Sequence, residues 1–117
     1  MQIQDMQGKS SEYCLVLSTC PNQEIAESIA MKLVENKLAA CVNIVPGLTS
    51  VYELQGNIEK SQEHLLIVKT KSAAFQAVET AILDRHPYEL PEIISIPLNN
   101  GLANYLSWID DNVAPIN

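Results

Sequence analysis

The sequence predicts a single α+β domain in which strands and helices follow the order β-α-β-β-α-β, with one further helix near the C-terminal end. The first observation is the length of 117 residues with 47% apolar residues, which suits one domain with a buried core. The second is a set of apolar runs without helical period, which predict strands. The third is a pair of segments, each following a strand, whose apolar residues recur at helical spacing.

The first strand and the first helix are separated by a proline. Tyr13–Thr19 is a short apolar run that predicts a buried strand, and Pro21 ends it. Asn22 is a suitable N-cap because its side chain can accept a hydrogen bond from the first helical turn. The apolar face of this helix consists of Ile25, Ala26, Ile29, Ala30, Leu33 and Val34. We expect the helix to end near Lys37.

Two long strands joined by a tight turn follow the first helix. The second strand is predicted over Cys41–Leu54, with an interruption at Pro46-Gly47. Gln55–Asn57 forms the turn, in which Gly56 can adopt a positive φ. The third strand is predicted over Ile58–Thr70, polar at its start and strongly apolar at its end. These two strands form an extended hairpin.

The second half of the domain repeats the helix-strand pattern and adds a helix. Ser72 is the predicted cap of the second helix, and Pro87 ends it because the residue before a proline disfavours the α region. The apolar face of that helix consists of Phe75, Val78 and Ile82. The fourth strand is predicted over Glu92–Leu98, at a sheet edge because Pro97 cannot donate a ladder hydrogen bond. Ala103–Asp111 is the closing helix.

This order of elements predicts the ferredoxin-like sandwich. Each β-α-β crossover is expected to be right-handed, which puts both helices on one face of an antiparallel sheet. The same topology places the fourth strand at an edge, as its proline requires. Residues 1–11 are polar and are expected to form a disordered tail, and residues 12–117 form the single domain.

The hairpin is too long for the domain that carries it. At about 3.3 Å per residue, each arm reaches roughly 45 Å. A globular domain of this length has a radius of gyration of about 13 Å and thus a diameter of roughly 34 Å. The apolar residues near the tip are Val51, Tyr52, Leu54 and Ile58. Either the ribbon bends back at Pro46-Gly47, or it packs on another subunit in a small symmetric ring, which is the interpretation we favour.

Charge and cysteine content exclude several classes of partner and location. A formal net charge of -7 disfavours nucleic acids and anionic membranes as partners. An odd number of cysteines without framework spacing indicates free thiols in a reducing compartment, and we expect a cytoplasmic protein. Residues 1–12 do not have the features of a signal peptide, and no apolar run approaches the length of a membrane span. Cys14 and Cys41 are expected to be small core residues.

Several spaced segments together resemble the CutA divalent-cation-tolerance proteins, over about Tyr13 to Ile109. These segments are Lys37–Asn43 (KLAACVN), Pro46-Gly47 followed by Ser50-x-Tyr52, Gln55-Gly56 with Glu59 and Glu63, Lys69-Thr70, His86–Ile94 (HPYELPEII) and Tyr105–Ile109 (YLSWI). The resemblance implies a ferredoxin-like subunit similar to the signalling PII proteins. It also implies a very stable homotrimer, built partly by hairpins that reach across subunits. It further implies a role in tolerance of divalent metals, copper above all, without an established catalytic activity.

The chain departs from this family pattern at residues proposed to bind copper. Copper-associated members of the family have a cysteine at the position of Ser18 and a histidine at the position of Arg85. His86 is the matching ligand that remains, and Cys20, two residues after Ser18, is a substitute for the missing thiol. The alternative roles are a helix cap for His86 and a loop thiol without function for Cys20. Leu54 stands where the family usually has a tryptophan.

A set of polar and aromatic residues forms a second candidate site, either a ligand cleft or a subunit interface. Its members are Tyr52, Glu59, Glu63, Lys69, Tyr88, Glu92 and Trp108. In the structural interpretation they form salt bridges, hydrogen bonds and packing contacts between strands and subunits. In the functional interpretation they line a cleft that binds a small ligand or an ion. Lys69 ends a buried strand and is therefore expected to have a carboxylate partner.

Two functions are consistent with these patterns. The first is a trimeric, cytoplasmic protein of divalent-metal tolerance with weak or facultative binding of copper or another divalent cation, and with no required cofactor. The alternative is a PII-like regulatory module that binds a small organic ligand in the clefts between subunits. No enzyme is expected, because the sequence has no nucleophile with a plausible base, no phosphate loop and no metalloprotease motif.

Overall fold

A computed structural model describes residues 11–115 of the chain. Its elements are β1 (Tyr13–Cys20), α1 (Gln23–Glu35), β2 (Cys41–Leu54), β3 (Asn57–Lys71), a 3₁₀ turn (Ser72–Ala74), α2 (Phe75–Arg85), β4 (Ile94–Pro97) and α3 (Ala103–Asn112). This order confirms the predicted β-α-β-β-α-β fold with a closing helix. Apart from Ser11, the predicted disordered tail lies outside the described residues. Among the helices described, none has the length and apolar character needed to cross a membrane.

The four strands form one antiparallel sheet in the order β2-β3-β1-β4. β1 lies between β3 and β4, and its central residue Val16 is opposite Val68 on one side and Ser95 on the other. β4 is an edge strand, as Pro97 predicted. It is shorter than the predicted Glu92–Leu98, because only Ile94–Pro97 pair with β1.

The core lies between one face of the sheet and helices α1 and α2. Alternate residues of the two central strands point to this face and are almost completely buried, as the two-residue period of a strand requires. They are Cys14, Val16 and Cys20 of β1 and Leu66 and Val68 of β3. The helices contribute Ala26, Ile29, Leu33, Val78, Ala81 and Ile82. This packing confirms most of the apolar helix faces seen in the sequence, although Val34 is 41% exposed.

Helix α1 has the predicted start and an earlier end. The Asn22 side chain accepts a hydrogen bond from the Ile25 backbone N–H at 2.9 Å. The helix ends at Glu35 rather than near Lys37, because Lys37 has a φ of 61° in the left-handed region. The Leu38 N–H then donates to the Leu33 carbonyl at 2.9 Å, which closes the helix end.

The predicted Ser72 cap of the second helix is wrong. The Ser72 hydroxyl donates instead to the backbone carbonyl of Ser11 at 2.6 Å, and the Ser72 N–H donates to the Glu12 carbonyl. A 3₁₀ turn over Ser72–Ala74 leads into α2 without a side-chain cap. The serine therefore joins the N-terminal end of β1 to the end of β3.

The β2-β3 hairpin extends beyond the body of the subunit. The molecule measures 49 × 34 × 25 Å. The Pro46-Gly47 interruption is a register shift between Val45 and Leu48, after which pairing continues to Leu54 opposite Asn57. Both central residues of the tip turn, Gln55 and Gly56, have positive φ values of 52° and 85°, as tight hairpin turns require.

The apolar side chains near the hairpin tip are exposed in the subunit. Val51 is 63% exposed and Ile58 is 70% exposed, and Tyr52 and Leu54 are also largely accessible. The ribbon therefore does not bend back to bury its tip against its own helices. Of the two alternatives left open by the sequence, the structure therefore excludes the ribbon that bends back, and packing of the tip on another subunit stays a prediction.

Helix α3 is attached to the ends of the two central strands. The Tyr13 hydroxyl donates to Asp110 Oδ2 at 2.6 Å, and Lys71 Nζ lies 3.0 Å from Asp110 Oδ1. Tyr13 and Lys71 are directly opposite each other on β1 and β3. Ile109 of the helix is completely buried. One carboxylate thus connects the helix to both strands.

Candidate functional site

A groove of about 690 Å³ lies between the outer part of the hairpin and the segment that connects α2 to β4. The strands contribute Thr19, Ser50, Val51, Tyr52, Leu54 and Glu63, and the connecting segment contributes Tyr88, Glu89, Leu90 and Glu92. Its volume is in the range of small-molecule sites in proteins. The groove brings together four residues of the predicted cleft, namely Tyr52, Glu63, Tyr88 and Glu92.

Glu63 is the central polar residue of the groove. Its side chain belongs to β3, and the residue is only 6% exposed. The Ser50 hydroxyl donates to Glu63 Oε1 at 2.6 Å, and the Tyr88 hydroxyl donates to Oε2 at 2.8 Å. Each carboxylate oxygen of Glu63 thus accepts one hydrogen bond from a hydroxyl group.

Two tyrosines border this carboxylate. Burial and the hydrogen bond to Glu63 raise the pKa of Tyr88 to about 12, so its phenol remains a hydrogen-bond donor at neutral pH. The Tyr52 hydroxyl lies 2.8 Å from the Ser61 hydroxyl across the hairpin. Tyr52 is directly opposite Glu59 in the β2-β3 pairing. The phenols are therefore held in place by hydroxyl and carboxylate partners.

The connecting segment is positioned by His86 at the end of α2. The His86 N–H donates to the Ile82 carbonyl at 2.9 Å and ends the helix before Pro87. His86 Nε2 lies 2.7 Å from the carbonyl oxygen of Thr19, and its Nδ1 accepts a hydrogen bond from the Tyr88 N–H at 3.2 Å. This histidine thus connects the end of β1 to the residue that contacts Glu63.

These hydrogen bonds define the protonation state and the role of His86 in the subunit. A carbonyl can only accept, so Nε2 carries the proton, and an amide N–H can only donate, so Nδ1 has its lone pair engaged. The imidazole is neutral and has no free lone pair for a metal ion. The expected metal ligand therefore acts here as a connecting residue, and it could bind a cation only after losing the hydrogen bond to Tyr88 or Thr19.

Cys20 is a buried residue at the end of β1, not a loop thiol. It is fully buried, and burial, followed by the Glu63 charge, raises the pKa of its thiol to about 11. Desolvation disfavours the charged form of a buried thiol, so Cys20 is not activated as a thiolate. Ser18, at the position of the family cysteine, is also fully buried, and its hydroxyl has no hydrogen-bond partner in the part of the chain that the structure describes.

The described part of the chain contains no group of three or more histidine, cysteine, aspartate or glutamate side chains arranged to hold a metal ion. The two predicted metal ligands, His86 and Cys20, thus belong to no such group among residues 11–115. A tight site for copper needs several nitrogen or sulfur donors around one point. A divalent cation at these residues requires donors from outside the described subunit.

Lys69 does not contact a carboxylate within the described residues, contrary to the prediction from the sequence. Its ammonium group contacts Asn43 Oδ1 and lies 3.7 Å from the Cys41 sulfur. Both partners are on β2, and Cys41 is directly opposite Lys69. The lysine is half-buried, so it keeps part of its hydration and needs no full ion pair. Cys41 is also half-buried, whereas Cys14 is buried as expected.

Three residues of the predicted set lie outside the groove. Glu59 and Lys69 are on the hairpin but do not line it, and Trp108 is on α3. The Trp108 ring is 42% exposed and its centroid is 5.4 Å from that of Tyr105. Ser50, Glu89 and Leu90 line the groove but were not among the site residues predicted from the sequence. Ser50 was detectable, because it is two residues from Tyr52 and therefore shares its strand face.

The chain matches the family model described as CutA1 divalent ion tolerance protein over residues 14–112. A relative named Divalent-cation tolerance protein CutA, from Thermus thermophilus, is 49% identical over 98 residues, which cover 84% of this chain and 95% of that protein. Protein CutA, chloroplastic, from Arabidopsis thaliana is 40% identical over 105 residues, which cover 90% of this chain. The matched region spans 58% of the Arabidopsis protein.

Solved structures agree with these sequence comparisons. The structure of the stable protein CutA1 from the psychrotrophic bacterium Shewanella sp. SIB1 has a TM-score of 0.89 at 40% identity, covering 92% of this chain and 100% of that one. The Cut A1 structure from Thermus thermophilus has a TM-score of 0.85 at 47% identity, covering 87% of this chain and 99% of that one. The chain belongs to the CutA1 divalent ion tolerance family.

Proposed function

We propose that this member of the CutA1 family acts in divalent-metal tolerance as a homotrimeric, non-enzymatic protein of the cytoplasm. Its binding of divalent cations, copper included, is weak or facultative. The observation that carries the proposal is the family match, which covers nearly the whole described domain. The metal role comes from the names of the family and of its relatives, and the other parts rest on the residues of this chain.

The homotrimer is supported by apolar surface that the subunit leaves exposed. The hairpin tip is one such surface, with Val51 and Ile58 more than half exposed. A second is β4, where Ile94 is 48% exposed and Ile96 is 42% exposed. An exposed two-stranded ribbon is unstable alone, and large apolar patches are typical of protein interfaces. Closed rotational symmetry would cover all copies of these surfaces equally.

The weakness of cation binding follows from the state of the two candidate ligands. His86 has both ring nitrogens engaged, and the thiol of Cys20 has a pKa raised to about 11 by burial. A cation would have to compete with the Tyr88 amide and with a proton on sulfur. The residues present therefore do not fit a tight resident copper site, and no step of the proposed function depends on one. The three free thiols agree with a reducing compartment, hence the cytoplasm.

A copper titration and a growth assay test the metal part of this proposal. Calorimetry with Cu²⁺ is expected to show weak binding to the wild-type protein, reduced in His86→Ala and retained in His64→Ala, the matched control at the other histidine of the chain. An unchanged isotherm in His86→Ala would remove His86 from the metal site.

A strain lacking its own family member should become sensitive to copper and regain tolerance with this chain. Unchanged sensitivity on adding the chain would contradict the role in tolerance.

A second candidate function is a PII-like regulatory module that binds a small organic ligand. The groove favours it, because four predicted cleft residues line one cavity of about 690 Å³ beside the hairpin. The hairpin arm that lines this groove also carries the apolar tip, so in a homotrimer the groove would form one wall of a cleft between subunits. Metal contact is incidental in this alternative.

A further inference from the structure

We propose that the groove beside the hairpin binds an organic cation, namely an amine or a guanidinium group carried on a short aliphatic chain. This inference rests on the second candidate function, and it names the chemical class of the ligand. It depends on three features of the groove: a buried carboxylate without a cationic partner among residues 11–115, free acceptor positions on that carboxylate, and walls of aliphatic and aromatic side chains.

The first feature is the unbalanced charge of the groove. Its lining has three carboxylates, from Glu63, Glu89 and Glu92, and no lysine, arginine or histidine. The salt bridges of the described residues involve Lys32 and Lys71, neither of which lines the groove. Glutamate is rarely buried without a cation beside it, because removing its charge from water is costly. A cationic ligand would supply the missing charge.

The second feature is the acceptor capacity that Glu63 retains. An ionised carboxylate offers about four lone-pair positions. The hydroxyls of Ser50 and Tyr88 occupy one position on each oxygen. One position on each oxygen is left, which matches the two parallel N–H donors of a guanidinium or two protons of an ammonium group. The two hydroxyls also hold the carboxylate in one orientation.

The third feature is the composition of the walls. Val51, Leu54 and Leu90 are exposed aliphatic side chains along the groove, and Leu90 is 90% exposed. The rings of Tyr52 and Tyr88 border the carboxylate, and aromatic faces attract organic cations. These walls fit the methylene chain of an organic cation and offer nothing to a hydrated metal ion.

A divalent metal ion is a poorer occupant of the groove. Hard divalent cations need several oxygen ligands that converge on one point. No three carboxylate, histidine or cysteine side chains converge in this way within residues 11–115. The groove is therefore separate in its chemistry from the metal function of the family.

Calorimetry with two matched probes tests this inference on the full chain. Butylguanidinium carries the charge, and butylurea has nearly the same shape without it. We expect saturable binding of butylguanidinium and none of butylurea. Glu63→Gln should weaken butylguanidinium binding at least about tenfold, since a charge-assisted pair contributes more than 1.4 kcal/mol. Glu79→Gln, the same change on α2 outside the groove, should leave the affinity unchanged.

A second variant protects the test against a folding defect. Glu92→Gln changes an exposed rim residue and should weaken butylguanidinium binding by a smaller factor, with an unaltered circular dichroism spectrum. Equal binding of the two probes, or no loss in either variant, would contradict recognition of the charge. Absence of butylguanidinium binding to a trimer that still confers copper tolerance would overturn this inference alone. A monomeric mass would instead count against the proposed function.

Discussion

The hydroxyl of Tyr88 donates a 2.8 Å hydrogen bond to Glu63 Oε2, which joins the segment after α2 to the second arm of the hairpin. The two residues are 25 positions apart in the chain. Through this bond, the hairpin arm and the connecting segment form one groove. The state of Glu63 is therefore linked both to the stability of the subunit and to what the groove binds.

Removing the Tyr88 hydroxyl should destabilise the subunit. Tyr88→Phe leaves Glu63 Oε2 buried without its donor, and the loss of a buried hydrogen bond of this kind costs about 1–3 kcal/mol of unfolding free energy. Tyr105→Phe is the matched control, because no hydrogen bond of the Tyr105 hydroxyl is found among the described residues. Urea unfolding of both variants measures the difference. Equal stability of the two variants would contradict the role assigned to the Tyr88–Glu63 bond.

A charge at the hairpin tip should disrupt the assembly and leave the subunit folded. Ile58 is 70% exposed in the subunit, so Ile58→Lys removes no intrasubunit core contact but would place an ammonium group in the proposed interface. Sedimentation velocity should show a smaller species with unchanged secondary structure. The control is Leu83→Lys on α2, where the leucine is 51% exposed, and it should sediment like the wild type. An intact trimer in Ile58→Lys would remove the tip from the interface.

The contacts of Asp110 that attach α3 should contribute to the free energy of unfolding in a way that depends on pH in the acid range. The hydrogen bond from Tyr13 and the Lys71 charge lower the pKa of Asp110. A carboxyl group with a lowered folded pKa adds stability above its unfolded pKa of about 3.9, and this contribution disappears as the pH falls through the folded pKa. The stability difference between wild type and Asp110→Asn should therefore be constant near neutral pH and shrink below about pH 4.

The control for this pH series is Asp111→Asn, at an exposed neighbour with no hydrogen-bond or salt-bridge partner within the described residues. Asp111→Asn should have the same free energy of unfolding as the wild type at every pH. If the difference in unfolding free energy between wild type and Asp110→Asn stayed constant down to strongly acid solution, the ionised Asp110 would not be the source of this stability. At the alkaline end, the hydrogen bond to Asp110 raises the pKa of Tyr13 to about 12, so the bond should persist to high pH.

The buried thiols should resist alkylation in the folded protein. Cys14 and Cys20 are buried, and desolvation raises the pKa of Cys20 to about 11, so very little reactive thiolate forms near neutral pH. Intact-mass measurement after iodoacetamide treatment should show at most one adduct, on the half-buried Cys41. The denatured chain should carry three adducts, one for each cysteine. Rapid modification of Cys20 in the folded protein would contradict its buried position.

Local patterns predicted most of the fold. Helical spacing of apolar residues and the Asn22 cap located α1, and Pro97 indicated the edge strand. The predictions from local patterns were wrong where the local structure depends on a contact with a residue distant in the sequence. Ser72 resembles a helix cap in the sequence, but its hydroxyl donates a hydrogen bond to the backbone carbonyl of Ser11, 61 residues away. The extent of β4 is set by the four residues that pair with β1, which no local pattern specifies.

The candidate site was only partly predictable for the same reason. Glu59 and Glu63 are four residues apart on β3 and therefore lie on the same face of the strand, yet only Glu63 is buried beside Tyr88. Glu63 is buried because the segment between α2 and β4 lies over it. The position of that segment depends on the contact of His86 with Thr19, which is 67 residues away in the chain. Lys69 was assigned a carboxylate partner because a lysine at the end of a buried strand needs a partner for its charge, whereas the strand register places Asn43 and Cys41 beside it. Residue type therefore identified candidates, and the register selected among them.

The central claim is that copies of this chain assemble to cover hairpins that the single subunit leaves exposed. Multi-angle light scattering of the purified 117-residue chain, across a wide range of concentrations, tests it most directly. We predict a mass of about 39 kDa, three times the 12.9 kDa of one chain. A uniform mass of 12.9 kDa over that range would contradict the account.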